Sequence, residues 1–379
     1  MCLTLSLKYS NMPLVPSYIK KLERYKPGKS SFNVDIKNGP SSLIKLSSNE
    51  NPFGPSPLAL NAIEEANHNL HRYPDATGYE LRKKLADKFQ VKVSNVTIGS
   101  GSEGIMSSIM RTFLLTDDEI ISAEGSFIGF RVLANASGRK VHWVPMEEGK
   151  YNLKKMAEKI TEYTKIIYIA NPDNPMGTYI TKSDFDTFYK HVPKRTLIIL
   201  DEAYYEYANY QDDYPDSMFY RYDNVITLRT FSKAYGLGGI RLGYGFAHEY
   251  LIENLNKVKP PFEPSSLAQA AGLAALDDIE FLNKTINENR NGMKLLSKEF
   301  KKIDINFIPS YTNFITTIWE SAEKAESIVD ELLKKGIIVR KLSSFGWQNC
   351  IRITIGTKKE NSSLIKALSS IMECLKKNE

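Results

Sequence analysis

Cysteine is scarce: Cys2, Cys350 and Cys374 are the only three in 379 residues. Thiols so placed build neither a disulfide framework nor a metal-ligand spacing, and they suit a reducing compartment. The five histidines form no His-x-x-x-His pair, so a metal centre has little support. Long apolar runs are absent as well, and nothing approaches the roughly 18 residues that a membrane span needs. The leading Met1-Cys2-Leu3-Thr4-Leu5-Ser6-Leu7 stretch is too short for a secretory signal and lacks a basic lead-in. Charge of one sign is also missing. The formal net charge is +6, without the clustered basic stripe of a nucleic-acid binder, and Lys257, Lys259, Lys301 and Lys302 read as solvated faces. No repeats or low-complexity tracts interrupt the chain. The expectation is a soluble cytoplasmic protein whose partners are small molecules, with no nucleic acid and no membrane.

What is present is an ordinary folded composition, 42% hydrophobic and 25% charged, in a chain long enough for about two domains. Residues 1–45 are irregular and punctuated by Pro13, Pro16, Pro27 and Pro40, and they read as an N-terminal arm. From Val96 strands and helices alternate. Lys165–Ala170 and Leu197–Leu200 are near-continuous apolar runs, as strands buried on both faces should be. Such alternation predicts a largely parallel sheet between helices, an α/β large domain over 46–262. After Pro260-Pro261-Phe262-Glu263-Pro264 helices dominate and strands are short, predicting a smaller α+β domain over 263–379.

Four polar groupings each directly follow a predicted strand, where parallel sheets collect their chemistry. Thr230-Phe231-Ser232-Lys233 leads into a glycine-rich segment ending at Arg241. A lysine in a walled site loses its proton more readily and its neutral amine can attack a carbonyl, while hydroxyls, glycines and an arginine suit a phosphate. Asp201 ends an apolar strand, where a carboxylate needs a cationic partner or serves as a helix N-cap. Asn171-Pro172-Asp173-Asn174-Pro175-Met176-Gly177 is a rigid turn that presents amides. Gly101-Ser102-Glu103 opens a helix after a glycine-rich turn, which favours an anion. Later, Arg352 sits in a strand-like run and Arg340 ends another, each suited to an anionic substrate or to a structural ion pair. Tyr73 and Phe130 are open between site and packing roles.

Taken together, in this order and spacing, these residues resemble the fold type I pyridoxal-phosphate aminotransferases, and most closely the histidinol-phosphate aminotransferase family. The motifs carrying the resemblance are Asn49–Pro57, Arg72-Tyr73-Pro74-Asp75, Asn174–Gly177, Asp201–Tyr204, Arg229–Arg241 and Arg352–Thr357, and it runs from about residue 15 to the end. Relatives such as threonine-phosphate decarboxylases and aromatic aminotransferases share most of them, and a non-enzymatic regulator on the same fold is a rival of another class.

The resemblance implies pyridoxal 5'-phosphate as cofactor. It implies that Lys233 forms the Schiff base and moves the proton, and that Asp201 holds the pyridine nitrogen protonated. Asn174 and Tyr204 would hold the phenolic oxygen. Ser102, Glu103, Thr230, Ser232 and Arg241 would hold the phosphate, and Phe130 would lie against the ring. Arg352, Arg340 and Asn49 would bind substrate. Tyr73 would reach the neighbouring subunit's phosphate in a homodimer. Met176 and Lys341 depart from the family pattern, which usually has Thr and Pro there.

Overall fold

The computed structural model describes residues 14–23, 43–217 and 222–378. Most of the expected N-terminal arm therefore lies outside the described residues. The strands, in chain order, are β1 (Ile44–Lys45), β2 (Val96–Gly99), β3 (Glu119–Glu124), β4 (Lys140–Pro145), β5 (Thr164–Ala170), β6 (Leu197–Asp201), β7 (Val225–Thr230) and β8 (Gly243–Phe246). They continue with β9 (Asn306–Ile308), β10 (Phe314–Ile318), β11 (Ile337–Ile338), β12 (Arg340–Lys341) and β13 (Cys350–Thr354).

Seven of them form the large sheet in the order β2-β8-β7-β6-β5-β3-β4. All run parallel except β8, which is antiparallel to β2 and β7. Ile198, Ile199, Ile166 and Ile167 are fully buried, because helices cover both faces of the sheet. The insertion of β8 departs from the simple strand–helix alternation. Its Gly-Tyr-Gly-Phe sequence has little strand character, yet both glycines are needed. A side chain on Gly243 would come within 2.4 Å of the Ser102 nitrogen, and one on Gly245 within 2.9 Å of Leu228. β8 thus brings its backbone hard against the start of helix Gly101–Phe113.

The expected boundary after 262 falls differently. Helix Ser266–Ala275 packs with Leu81, Leu85, Val96 and Phe231 in the core of the large unit. Its inward residues are Ala268, Ala271, Gly272 and Ala275, small enough for the helix to lie close. In the other direction, Ile44 and Lys45 pair with Ile337 and Ile338, and Leu46 joins the small unit's core with Ile315, Ile351 and Ile353. The helix Ile279–Lys302, 24 residues long and capped by Asp278, spans both units. Leu282 packs against the large unit, and Leu296 and Phe300 against the small one. The small unit's sheet is antiparallel, in the order β12-β13-β10-β9. No helix among the described residues is long and apolar enough to cross a membrane.

Candidate active site

The carboxyl ends of β2, β5, β6 and β7 open on one cavity of about 330 Å³. The four strand-end groupings of the sequence meet there. β7 delivers Thr230, Ser232 and Lys233 to its floor, β6 delivers Asp201 and Tyr204, and β5 delivers Ala170 and Asn174. Ser102 and Glu103 enter from the helix after β2, with Arg241 beside them.

One end gathers groups suited to an anion. Helix Gly101–Phe113 begins without a side-chain cap, so its first-turn N–H groups face the cavity with the positive end of the helix dipole. Gly101 has φ +76, and a side chain there would meet the Arg241 guanidinium at 2.9 Å. The Arg241 Nη2 lies 3.4 Å from Glu103 Oε2 at the exposed rim. The Ser232 N–H donates to Thr230 Oγ1 at 3.1 Å, and the two hydroxyls stand 2.9 Å apart. Two hydroxyls, a guanidinium and free helix amides form an anion cradle.

At the cavity floor burial lowers the Lys233 amine to about 8, and the Arg352 charge pushes the same way. Such a lysine is about one-tenth neutral at pH 7, far more than an ordinary one, and the neutral amine is what a nucleophilic lysine requires. Asp201 is buried, and burial pushes its carboxyl up to about 7, although Tyr168 donates to Oδ2 at 2.8 Å. Its Oδ1 is buried without a hydrogen-bond partner. A desolvated, unmatched carboxylate oxygen facing a cavity fits the protonated nitrogen of a pyridine. With the phosphate cradle at one end and Lys233 between, the residues fit pyridoxal phosphate.

Tyr204 is fixed from behind. Asn49, in a left-handed conformation at φ +55, donates its Nδ2 to the Tyr204 hydroxyl at 2.9 Å. The Asn49 N–H donates to Thr354 Oγ1 at 2.9 Å, so this residue ties the phenol to the small unit. Asn49 was expected on the substrate side. Its amide is buried and engaged with Tyr204, which makes it a support for that phenol.

Arg352 donates to Asn174 Oδ1 and to the Ser47 carbonyl, the latter at 3.0 Å. Arg340 and Arg352 are register partners on β12 and β13, so their side chains leave the same face of the ladder. Their guanidinium carbons lie 5.9 and 5.8 Å from the centre of one ring, Phe345. Arg340 also donates to Ser344 Oγ at 3.2 Å.

Five expected residues do not line the cavity: Asn49 and Arg352 stand behind it, bonded to Tyr204 and Asn174, Arg340 pairs with Arg352, and Phe130 and Tyr73 lie elsewhere. Phe130 does not reach the cavity: it is 1% exposed and stacks on Tyr168 with ring centres 3.9 Å apart. Phe127 takes the place on the wall. The reason is local. β3 ends at Glu124 and the next helix starts at Ile128, so Phe127 lies in the connecting loop while Phe130 faces the sheet. Tyr73 is not on its own chain's cavity either, being 81% exposed and stacked on Phe262 at 4.4 Å. Ser48 and Glu50 line the cavity without having been assigned a site role, although Glu50 falls in the Asn49–Pro57 motif, because nothing in an irregular segment signals which residues turn inward.

The family model for aminotransferase class I and II matches residues 41–368. A histidinol-phosphate aminotransferase of Carboxydothermus hydrogenoformans is 38% identical over 96% of this chain and 100% of its own length. One from Brevibacillus brevis is 41% identical over 92% of this chain and 95% of its own. Among solved structures, the histidinol-phosphate aminotransferase of Sinorhizobium meliloti in complex with pyridoxal-5'-phosphate superposes with a TM-score of 0.87. It is 28% identical and covers 97% of this chain and 99% of its own. Aspartate aminotransferase from Thermus thermophilus, 18% identical with a TM-score of 0.76 over 87% of this chain and 92% of its own, shares the fold.

Proposed function

The chain belongs to the class I and II aminotransferases, and from that premise we propose that it exchanges the amino group between histidinol phosphate and 2-oxoglutarate, with pyridoxal phosphate as cofactor. Bound there, the cofactor supplies an electron sink for the carbanion that forms at the substrate's α-carbon. The protein supplies the rest. Lys233 offers a neutral amine from the cavity floor and moves the proton as general base and acid. Asp201 presents a carboxylate to the ring nitrogen, Asn174 and Tyr204 face the phenolic oxygen, and the helix amides with Thr230, Ser232 and Arg241 take the phosphate.

The observation that carries the substrate assignment is the cross-strand pair of Arg340 and Arg352 around Phe345. Two permanently charged forks on one face favour a dianion more than the lone carboxylate of a neutral amino acid. Arg352 receives the glutamate carboxylate in one half-reaction, and the two arginines together receive the phosphate in the other. The working unit is a homodimer in the cytoplasm. The exposed Tyr73–Phe262 stack supports this, since an aromatic so bare on a monomer gains by meeting a neighbouring site.

The experiment is to measure kcat/KM in the two half-reactions separately, for the parent and for Arg340→Ala. Histidinol phosphate should fall by about 1.5–3 kcal/mol of transition-state binding, the range for a hydrogen bond to a charged group, with glutamate nearly unaffected. If the phosphorylated substrate is untouched and an aromatic amino acid reacts equally well, the substrate assignment is wrong and an aromatic aminotransferase takes its place.

A further inference from the structure

Tyr168 lies on β5 two residues before Ala170, and so on the same face of the sheet. Ala170 is the register partner of Asp201 on β6, which puts the Tyr168 side chain diagonally behind the Asp201 carboxylate. Its hydroxyl donates to Asp201 Oδ2 at 2.8 Å. The ring is fully buried and lies flat on Phe130, 3.9 Å away and 7° from parallel. That stack leaves the phenol no second position. Asp201 Oδ1, the oxygen left over, is buried and accepts no well-aligned hydrogen bond, and the one backbone group that also acts on this carboxylate is the Ala203 N–H.

We propose that Tyr168 is a positioning residue for the cofactor: its hydroxyl, clamped by Phe130, pins Asp201 Oδ2 so that Oδ1 stands ready for the ring nitrogen. The inference rests on the cofactor assigned above. The terminal torsion of an aspartate is soft, and a carboxylate held at neither oxygen would turn. Fixing one oxygen fixes the other, so no reorganisation is needed when a pyridinium arrives. Tyr168 suits the task because it is a neutral donor and stays one. Burial, and then the Asp201 charge, push the phenol's pKa well above its ordinary value. A cationic partner here would compete with the pyridinium for the carboxylate, whereas a neutral hydroxyl leaves its charge available.

The test uses affinity, read separately for two ligands. The unloaded protein is titrated with pyridoxal phosphate and with its 1-deaza analogue, in which carbon replaces the ring nitrogen. Both reach Lys233 and the phosphate cradle, but only the first has a nitrogen for Oδ1. The parent should prefer pyridoxal phosphate. Tyr168→Phe removes one oxygen atom and keeps the stack, and it should shrink that preference by about tenfold, the loss expected for a hydrogen bond to a charged group. Phe130→Leu keeps the hydroxyl but frees the ring, so the preference should shrink by about threefold, and this variant carries the test if Tyr168→Phe does not fold. A purely structural role weakens both ligands equally and leaves the ratio where it was, and that result overturns the proposal. A parent without any preference for the nitrogen-bearing ligand overturns the cofactor assignment beneath it.

Discussion

The cofactor end of the cavity is gathered from the ends of four strands of the large sheet, whereas the two arginines proposed for the substrate stand opposite each other on an antiparallel ladder of the small one. The difference is one of redundancy. At the large sheet, Ser102, Asn174, Asp201 and the Thr230–Lys233 group arrive from four separate strands, each anchored in a core buried on both faces. At the small sheet, Arg340 and Arg352 share one ladder and one aromatic ring, with Ser47 and Asn174 as further supports. The first region fixes what chemistry is available. On the proposed function the second selects which anion is admitted, and it is tied to the rest through segment 44–49, which also braces Tyr204.

Breaking the cofactor end should cost more. Asp201→Asn keeps the shape and removes the charge that holds a pyridinium, a loss of about 2–5 kcal/mol for a buried charge partner. Single-turnover rates should fall by roughly thirtyfold at least. Stopped-flow measurement of one half-reaction reads this directly, and a normal rate would reduce Asp201 to a strand-end cap.

Breaking the substrate end should cost less and fall on both halves of the cycle. Arg352→Lys retains a positive charge but loses the fork that grips Asn174 and the incoming anion. A loss of about 1.5–3 kcal/mol is expected for each substrate. Steady-state kcat/KM with each amino donor checks it, and a change confined to one donor would separate the roles assigned jointly to Arg352.

The two ends were unequally legible in the sequence, for a physical reason. A parallel strand buried on both faces announces itself as an apolar run, and the polar residues just beyond it must sit at the sheet's edge. Lys233, Asp201, Asn174 and Ser102 were readable in that way. Phe127 was not, because the loop between β3 and the next helix gives no periodicity to separate it from Phe130. Neither was β8, whose glycines serve close approach and weaken its strand signal. The domain boundary misled for a similar reason. A proline-rich break at 260–264 looks like a linker, yet helix Ser266–Ala275 returns to the large core through small residues that carry no sign of their partner. The pairing of Ile44 with Ile337 joins residues nearly three hundred positions apart, which local pattern cannot reveal.

A gentler probe reads how far the substrate end reaches into the cofactor end. The Lys233 amine stands at about 8 because of burial first and the Arg352 charge second, against an ordinary 10.5. Capture of pyridoxal phosphate by the unloaded protein needs the neutral amine, so a lowered pKa raises the reactive fraction at any given pH. The capture rate should climb about tenfold per pH unit below the midpoint near 8 and level off above it. Arg352→Gln removes a positive neighbour, which makes protonation easier and moves the midpoint up. A rate that keeps climbing towards 10.5 in the parent would mean that Lys233 is an ordinary solvated lysine.

The central claim, amino-group exchange on a phosphorylated substrate by way of Lys233, is tested most directly by a single half-reaction. The loaded protein is mixed with histidinol phosphate in the absence of any oxo acid, and the cofactor's visible absorbance is followed together with release of carbon dioxide. The account predicts stoichiometric conversion of the cofactor to its amine form, no carbon dioxide from a phosphorylated amino acid offered in parallel, reversal on adding 2-oxoglutarate, and no spectral change in Lys233→Ala on the same time scale. Release of carbon dioxide from a phosphorylated amino acid offered in parallel, an unchanged spectrum with histidinol phosphate, or full conversion by Lys233→Ala would contradict it.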